Sequence, residues 1–226
     1  MSGALPSLAA AAPVAAGWTL HSLWMRRRIT AARCDPLTGL PTRAGFERRA
    51  ARLLRRGGPC AVAVIDLNGF KHINDTFGHA TGDLVIQGAG HGLAEWNHDG
   101  AHGVVARVGG DEFAAVFPET GPDGARLALG GLHGLLTAPL WCDGRTVGVG
   151  ASVGAVWHPC PAPADLPVLL RRADEAMYAA KRHGGGVRLA DDAPGPGRAT
   201  VNGRRAGRPG THLPPAVPAA PEGTSR

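Results

Sequence analysis

Aromatic side chains are scarce in this chain: 5% of its 226 residues are Phe, Trp or Tyr, with a single tyrosine. A nucleic-acid surface needs aromatics for base stacking and a basic stripe on the fold. The basic residues are not arranged as such a stripe. Residues 1–34 carry four Arg and no acid, residues 35–186 carry 14 Lys and Arg against 15 Asp and Glu, and residues 187–226 carry six Arg against three acids. The net charge of +6 therefore sits at the two ends of the chain, and the middle is nearly neutral. No nucleic-acid partner is expected. Cysteine is sparse too. Cys34, Cys60, Cys142 and Cys160 show no CxxC spacing and no partnered histidine, which argues for reduced, packed thiols rather than a zinc site or a disulfide scaffold. The histidines are scattered, and His72 and His79 read as surface or hydrogen-bonding residues rather than ligands.

Charge is missing altogether from Leu5 to Met25, and Arg26-Arg27-Arg28 follows at once. An uncharged stretch of this length can span a bilayer, and a basic run just after it marks the cytoplasmic side. Pro6, Pro13 and Gly17 interrupt the stretch, and no Lys or Arg precedes it, which argues against a cleaved signal peptide. The expectation is a single-pass anchor in the cell membrane with the rest of the chain inside the cell. The alternative is a soluble or interfacial helix on a cytoplasmic protein. Large apolar residues become rare again beyond Ala190, where Pro, Gly, Ala and Arg dominate, so residues 190–226 read as a disordered tail. Residues 1–34 are then the hydrophobic helix and its basic linker, and residues 35–189 are one folded domain.

Within that domain the apolar pattern alternates between strand and helix. A helix is expected from about Arg43 to Arg56, with Phe46, Leu53 and Leu54 on one face, stopped by Gly57-Gly58-Pro59. Cys60 to Leu67 is a continuous apolar run ending in an acid, the mark of a buried central strand. A short helix near Lys71–Phe77 and a longer one near Thr81–Trp96 follow. Another helix, with several weakening glycines, covers about Pro122–Thr137. Leu140–Cys142 and Thr146–Trp157 read as a hairpin turned at Asp143-Gly144. Leu166, Leu169, Leu170, Ala173, Met177 and Ala180 recur at helical spacing behind Asp165 as N-cap, and His183-Gly184-Gly185-Gly186 ends that helix.

Between the third and fourth helices lies Gly109-Gly110-Asp111-Glu112-Phe113. Val104, Val105 and Val108 lead into it, and Ala114, Ala115, Val116 and Phe117 lead out. Two glycines between β-prone runs make a tight hairpin. Bare backbone lets a ligand phosphate come close. A carboxylate beside that gap is where a divalent cation would bridge protein to phosphate.

Four separated blocks carry a resemblance to the GGDEF-domain diguanylate cyclases. They are Asp35-Pro36-Leu37-Thr38-Gly39-Leu40-Pro41-Thr42-Arg43, the run from Asp66 through His79 with Gly82-Asp83, Arg107 through Phe113, and Ala173 through Lys181. The resemblance implies an α+β fold, a central, mostly antiparallel five-stranded sheet covered by helices, akin to nucleotide-cyclase and polymerase palm domains. It implies condensation of two GTP into cyclic di-GMP by a homodimer, each domain holding one GTP. Asp66, Asp111 and the Leu67 carbonyl would bind Mg²⁺ or Mn²⁺ jointly with triphosphate. Asp111 would take the proton of the attacking 3′-hydroxyl, with Glu112 in support. Asn74 and Asp83 would read guanine, since an amide and a carboxylate match its donors and acceptor. The backbone at Gly109, Gly110, Phe70 and Lys71, and the Lys181 ammonium, would hold phosphates.

Three departures from the family pattern stand out. Asn68 replaces a frequent acid. Gly185 replaces an arginine that contacts phosphate, a change expected to weaken GTP binding by about 1.5–3 kcal/mol. Gly100 and Gly103 replace the Arg and Asp of the family's inhibitory product site, so product inhibition by that route is expected to be absent. About 34 residues ahead of the first block leave no room for a separate sensory domain, so control is expected from the anchor, a partner or expression.

Overall fold

The computed structural model of the chain describes residues 18, 19, 21, 34–142, 144–159 and 165–190. The expected anchor, apart from Trp18, Thr19 and His21, and the expected tail beyond Ala190 lie outside the described residues. Among the described residues no helix is long and apolar enough to cross a membrane.

The apolar run at Cys60 forms the central strand, β1 (Cys60–Asn68). It pairs antiparallel with β3 (Glu112–Pro118) on one side and β6 (Gly150–His158) on the other. Beyond β3 lies β2 (Val104–Arg107), antiparallel; beyond β6 lies β7 (Gly186–Leu189), parallel. The sheet order is β2-β3-β1-β6-β7. Both faces of β1 are covered, which is why its sequence shows no alternation. Ala61, Ala63, Ile65 and Leu67 share a core with α3 (His79–Trp96) and α4 (Pro122–Thr137). Val62 belongs to the opposite core, with Phe46 and Ala50 of α1 (Arg43–Arg55) and Leu169 and Ala173 of α5 (Leu166–Arg182). The helix–sheet–helix layering and the mostly antiparallel sheet are those expected. A short α2 (Phe70–Phe77) links β1 to α3, and a five-residue π-helical turn, Asn97–Ala101, follows α3.

Two expectations are corrected. The run Thr146–Trp157 is not one strand. β4 (Leu140–Cys142) pairs with β5 (Arg145–Val147) as a separate two-stranded ribbon. The chain then leaves at Gly148 and Val149, and β6 begins anew at Gly150. Glycines on both sides of Val149 weaken a continuous strand, while nine paired residues with β1 fix β6 in the main sheet. Asp165 stands at the N-cap of α5 with extended backbone, but its side chain makes no capping hydrogen bond. The strand β7 was not expected. Gly184, Gly185 and Gly186 all adopt positive φ, from +92° to +108°, and turn the chain so that Val187–Leu189 extend the sheet edge.

The tightest contact of sheet and helix is at Gly154. A Cβ there would collide with the Met177 amide and the Ala173 carbonyl, so α5 lies with its backbone against β6. Gly154→Ala should cost about 3 kcal/mol of stability through overpacking. The check is a lowered urea midpoint with an unchanged slope.

Candidate active site

The site grows from the end of β1. Asp66 has 0% exposure, lies opposite Glu112 on β3 and Ser152 on β6, and meets Lys181 from the last turn of α5. Lys181 Nζ stands 2.5 Å from Asp66 Oδ1. A buried carboxylate needs such a partner, because an unpaired charge in the interior is very costly.

The signature residues form the β2–β3 connection, as expected. Val108 and Gly109 donate from their amides to the Glu112 carbonyl, at 2.9 and 3.2 Å, and Leu67 donates to the Asp111 carbonyl at 3.2 Å. This last bond ties the hairpin to β1 and brings Asp111 beside Asp66. Neither Gly109 nor Gly110 is among the positive-φ glycines. A Cβ at Gly109 would stand 2.6 Å from Glu112 Oε2, the far end of a side chain that can swing aside.

Electrostatics single out Asp111. Burial raises its pKa, and the neighbouring carboxylates of Asp66 and Glu112 push the same way against the pull of Lys181. Asp66, Glu112 and Lys181 all act on Asp111, an acid-rich cluster of the kind that suits a cation. Among the described residues no group of three or more His, Cys, Asp or Glu side chains is set to hold a metal alone. Two carboxylates and a backbone carbonyl are hard oxygen donors of the kind that would suit a divalent cation.

The other end of the site lies between α2 and α3. Gly69 caps α2 in the left-handed region at φ +72°. Asn74 packs directly onto Gly82, where a Cβ would collide with its Oδ1, and the Phe70 ring lies 3.3 Å from the same point. Asn74 is therefore held next to Asp83, the following residue and an exposed one. Lys71 is exposed at the start of α2, and His72 and His79 are exposed as well.

Arg107 and Asp35 have a role that sequence reasoning missed. Arg107 donates from Nε and Nη2 to the Gly110 carbonyl, at 3.1 and 2.8 Å, and from Nε to Gly109 O at 3.2 Å. Its Nη1 donates to Asp35 Oδ1 at 2.9 Å, and Thr38 donates to the same oxygen from both N and Oγ1. The first motif is thus a latch on the signature turn. Both residues stand in motif blocks, but nothing periodic links positions 72 residues apart. Burial pushes the Asp35 carboxyl up, yet the bonds from Arg107 and Thr38 outweigh it and hold it below its ordinary 3.8.

The positions expected to lack an inhibitory motif lie on the far side of the signature hairpin. Gly100 is in the π-helical turn. Gly103 sits so close to β3 that a Cβ would meet the Val116 carbonyl and stand 2.7 Å from Phe117 Cα.

The family described as the GGDEF domain of diguanylate cyclases matches residues 32–186. The chain belongs to the GGDEF domain family. It is 42% identical over 168 residues to an uncharacterised 19.3 kDa protein of the repSA 5′ region in Streptomyces ambofaciens, covering 73% of this chain and 87% of that one. It is 40% identical over 162 residues to the diguanylate cyclase TpbB of Pseudomonas aeruginosa, covering 68% of this chain but 36% of TpbB. The chain thus spans about a third of that GGDEF protein's length. Among solved structures, the coiled coil and GGDEF domain of DgcB from Caulobacter crescentus, in complex with c-di-GMP, superposes with a TM-score of 0.67 at 27% identity, covering 83% of this chain and all of that one. The GGDEF domain of TpbB superposes with a TM-score of 0.63 at 38% identity, covering 70% and 94%.

The latch gives a pH-dependent prediction. A carboxylate with a depressed folded pKa stabilises fully above its unfolded value and loses that effect as pH falls through the folded value. Asp35→Ala should cost about 1.5–3 kcal/mol at pH 7. The gap to the parent protein, read from urea unfolding, should close as pH drops below 3.8.

Proposed function

We propose that this chain is a diguanylate cyclase, joining two GTP into cyclic di-GMP with release of two pyrophosphates. The observation that carries the reading is the cluster of Asp66, Asp111 and Lys181 at the end of β1, within a domain of this family. Relatives that bear the name diguanylate cyclase support it, as does the cyclic di-GMP complex of DgcB.

In this reading Asn74 and Asp83 bind the guanine edge, and an adenine in place of the guanine would leave their polar groups unpaired, at about 1–3 kcal/mol for each one the base covers. The backbone at Phe70, Lys71, Gly109 and Gly110, with the Lys181 ammonium, orients the triphosphate. Mg²⁺ or Mn²⁺ held by Asp66, Asp111 and the Leu67 carbonyl would polarise the α-phosphate and acidify the 3′-hydroxyl. The Asp111 carboxylate, with its raised pKa, accepts the proton of that hydroxyl. The hydroxyl oxygen bonds to the α-phosphorus of the partner domain's GTP, and the bond to pyrophosphate breaks. Two such attacks close the ring, so two domains must face each other. An anchor at Leu5–Met25 would hold the domains at the inner face of the cell membrane and raise their effective concentration. The close fit of Gly103 against β3 supports the absence of product inhibition through that turn.

A second reading has a specific observation behind it. Gly185 carries no side chain toward the phosphates, and its φ of +108° disfavours one. A domain short of that contact serves as a receptor or scaffold for GTP or cyclic di-GMP.

Incubation of the full chain with GTP and Mg²⁺, followed by mass spectrometry, separates the two. Cyclic di-GMP should form, and Asp111→Ala should lower its rate about a thousandfold or more, with the circular dichroism spectrum retained. GTP binding without product at high protein concentration would leave the receptor reading.

A further inference from the structure

Asn68 ends β1 two residues after Asp66, so both side chains leave the same face of the strand. There the amide lies across two glycines. Asn68 Cβ is 3.2 Å from where a Cβ on Gly150 would stand, and Asn68 Nδ2 is 2.8 Å from where one on Gly185 would stand. Ser152, fully buried on β6, donates from Oγ to Asn68 Oδ1 at 2.9 Å. The oxygen of the amide is thereby used and its plane fixed. Nδ2 has no hydrogen-bond partner among the described residues. No buried side-chain nitrogen or oxygen among them is left unpartnered, so Nδ2 keeps access to solvent. A fixed donor thus opens beside the Asp66–Lys181 pair.

Position 185 cannot do this work itself. Gly185 is at φ +108°, and a Cβ would also come 2.9 Å from the Ala151 carbonyl. The two departures noted in the sequence are therefore in contact with each other. Charge favours the amide as well. A carboxylate at position 68 would join Asp66, Asp111 and Glu112, with no arginine at 185 to offset it; the neutral amide adds a donor and no negative charge.

We propose that Asn68 Nδ2 is a phosphate-binding donor, contacting a β- or γ-phosphate oxygen of bound GTP where position 185 offers no cation, with Ser152 as its positioning residue. The inference rests on the guanine-nucleotide reading of this site.

The test is competition of GTP and GMP against a fluorescent GTP analogue on the full chain with Mg²⁺. Asn68→Ala should weaken GTP about 10- to 30-fold, the size of a hydrogen bond to a charged group, and GMP less than twofold. Ser152→Ala should weaken GTP by a smaller factor with the same GTP-over-GMP selectivity. Asn68→Asp should weaken GTP more than Asn68→Ala does. Gly185→Arg should not tighten GTP. Equal loss for GTP and GMP in Asn68→Ala, or unchanged GTP affinity, overturns the proposal, as does tighter GTP binding by Gly185→Arg at an unchanged melting temperature. If Asn68→Ala does not fold, Asn68→Leu, close in size and without a donor, carries the same expectation. Unchanged GTP binding in the Asn68 variants of an active parent rejects this inference alone. Failure of the parent to bind any of these nucleotides rejects the functional reading with it.

Discussion

A carboxylate at the end of a fully covered strand is the constraint around which this domain is arranged. Asp66 is out of reach of water, and a charge there is tolerated when an opposite charge and hydrogen bonds replace its hydration. The Lys181 ammonium comes from the last turn of α5. The helix must therefore lie close along β6, and the absent side chain at Gly154 allows it to. Once α5 ends there, the turn of glycines after it returns the chain to the sheet as β7. The same pairing sets Asp66 next to Asp111, whose own carboxyl is pushed toward protonation by burial and by its acidic neighbours.

Much of the fold was legible because its signals are local. The run CAVAVIDL announced a strand buried on both faces, and Pro122–Thr137 was bounded by a proline at one end and a loop at the other. The errors came where the deciding contact is remote. Thr146–Trp157 looks like one β-prone run, but its first residues belong to the β4–β5 ribbon and the rest are claimed by β1. Val187–Leu189 is too short to register as a strand until β6 stands beside it. Asp165 has the right residue type for a cap and does not use it.

The candidate site divides in the same way. The motif blocks named residues that the fold does bring together: Asp66, Asp111 and Lys181 at one end, and at the other Asn74 against Gly82, the residue before Asp83. Side-chain partnerships across long loops were invisible. Nothing in the sequence says that Arg107 bonds Asp35, or that Asn68 touches Gly185. The glycines illustrate why. At Gly82 and Gly154 the residue serves close approach, by Asn74 and by the backbone of α5 respectively, rather than a left-handed backbone. Composition reports that glycine is abundant; which neighbour fills each missing Cβ is a property of the assembled fold.

Gly103 shows how such a contact constrains descent as well as structure. Its Cα lies against the β3 backbone at Val116 and Phe117, with the strained left-handed His102, φ +46°, just before it. Any codon change that adds a side chain at 103 meets main chain, which unlike a rotamer has nowhere to swing. The turn would have to be rebuilt before an acidic residue there could be accepted. Acquiring an acidic side chain at 103 is thus a loop replacement in practice rather than a single substitution.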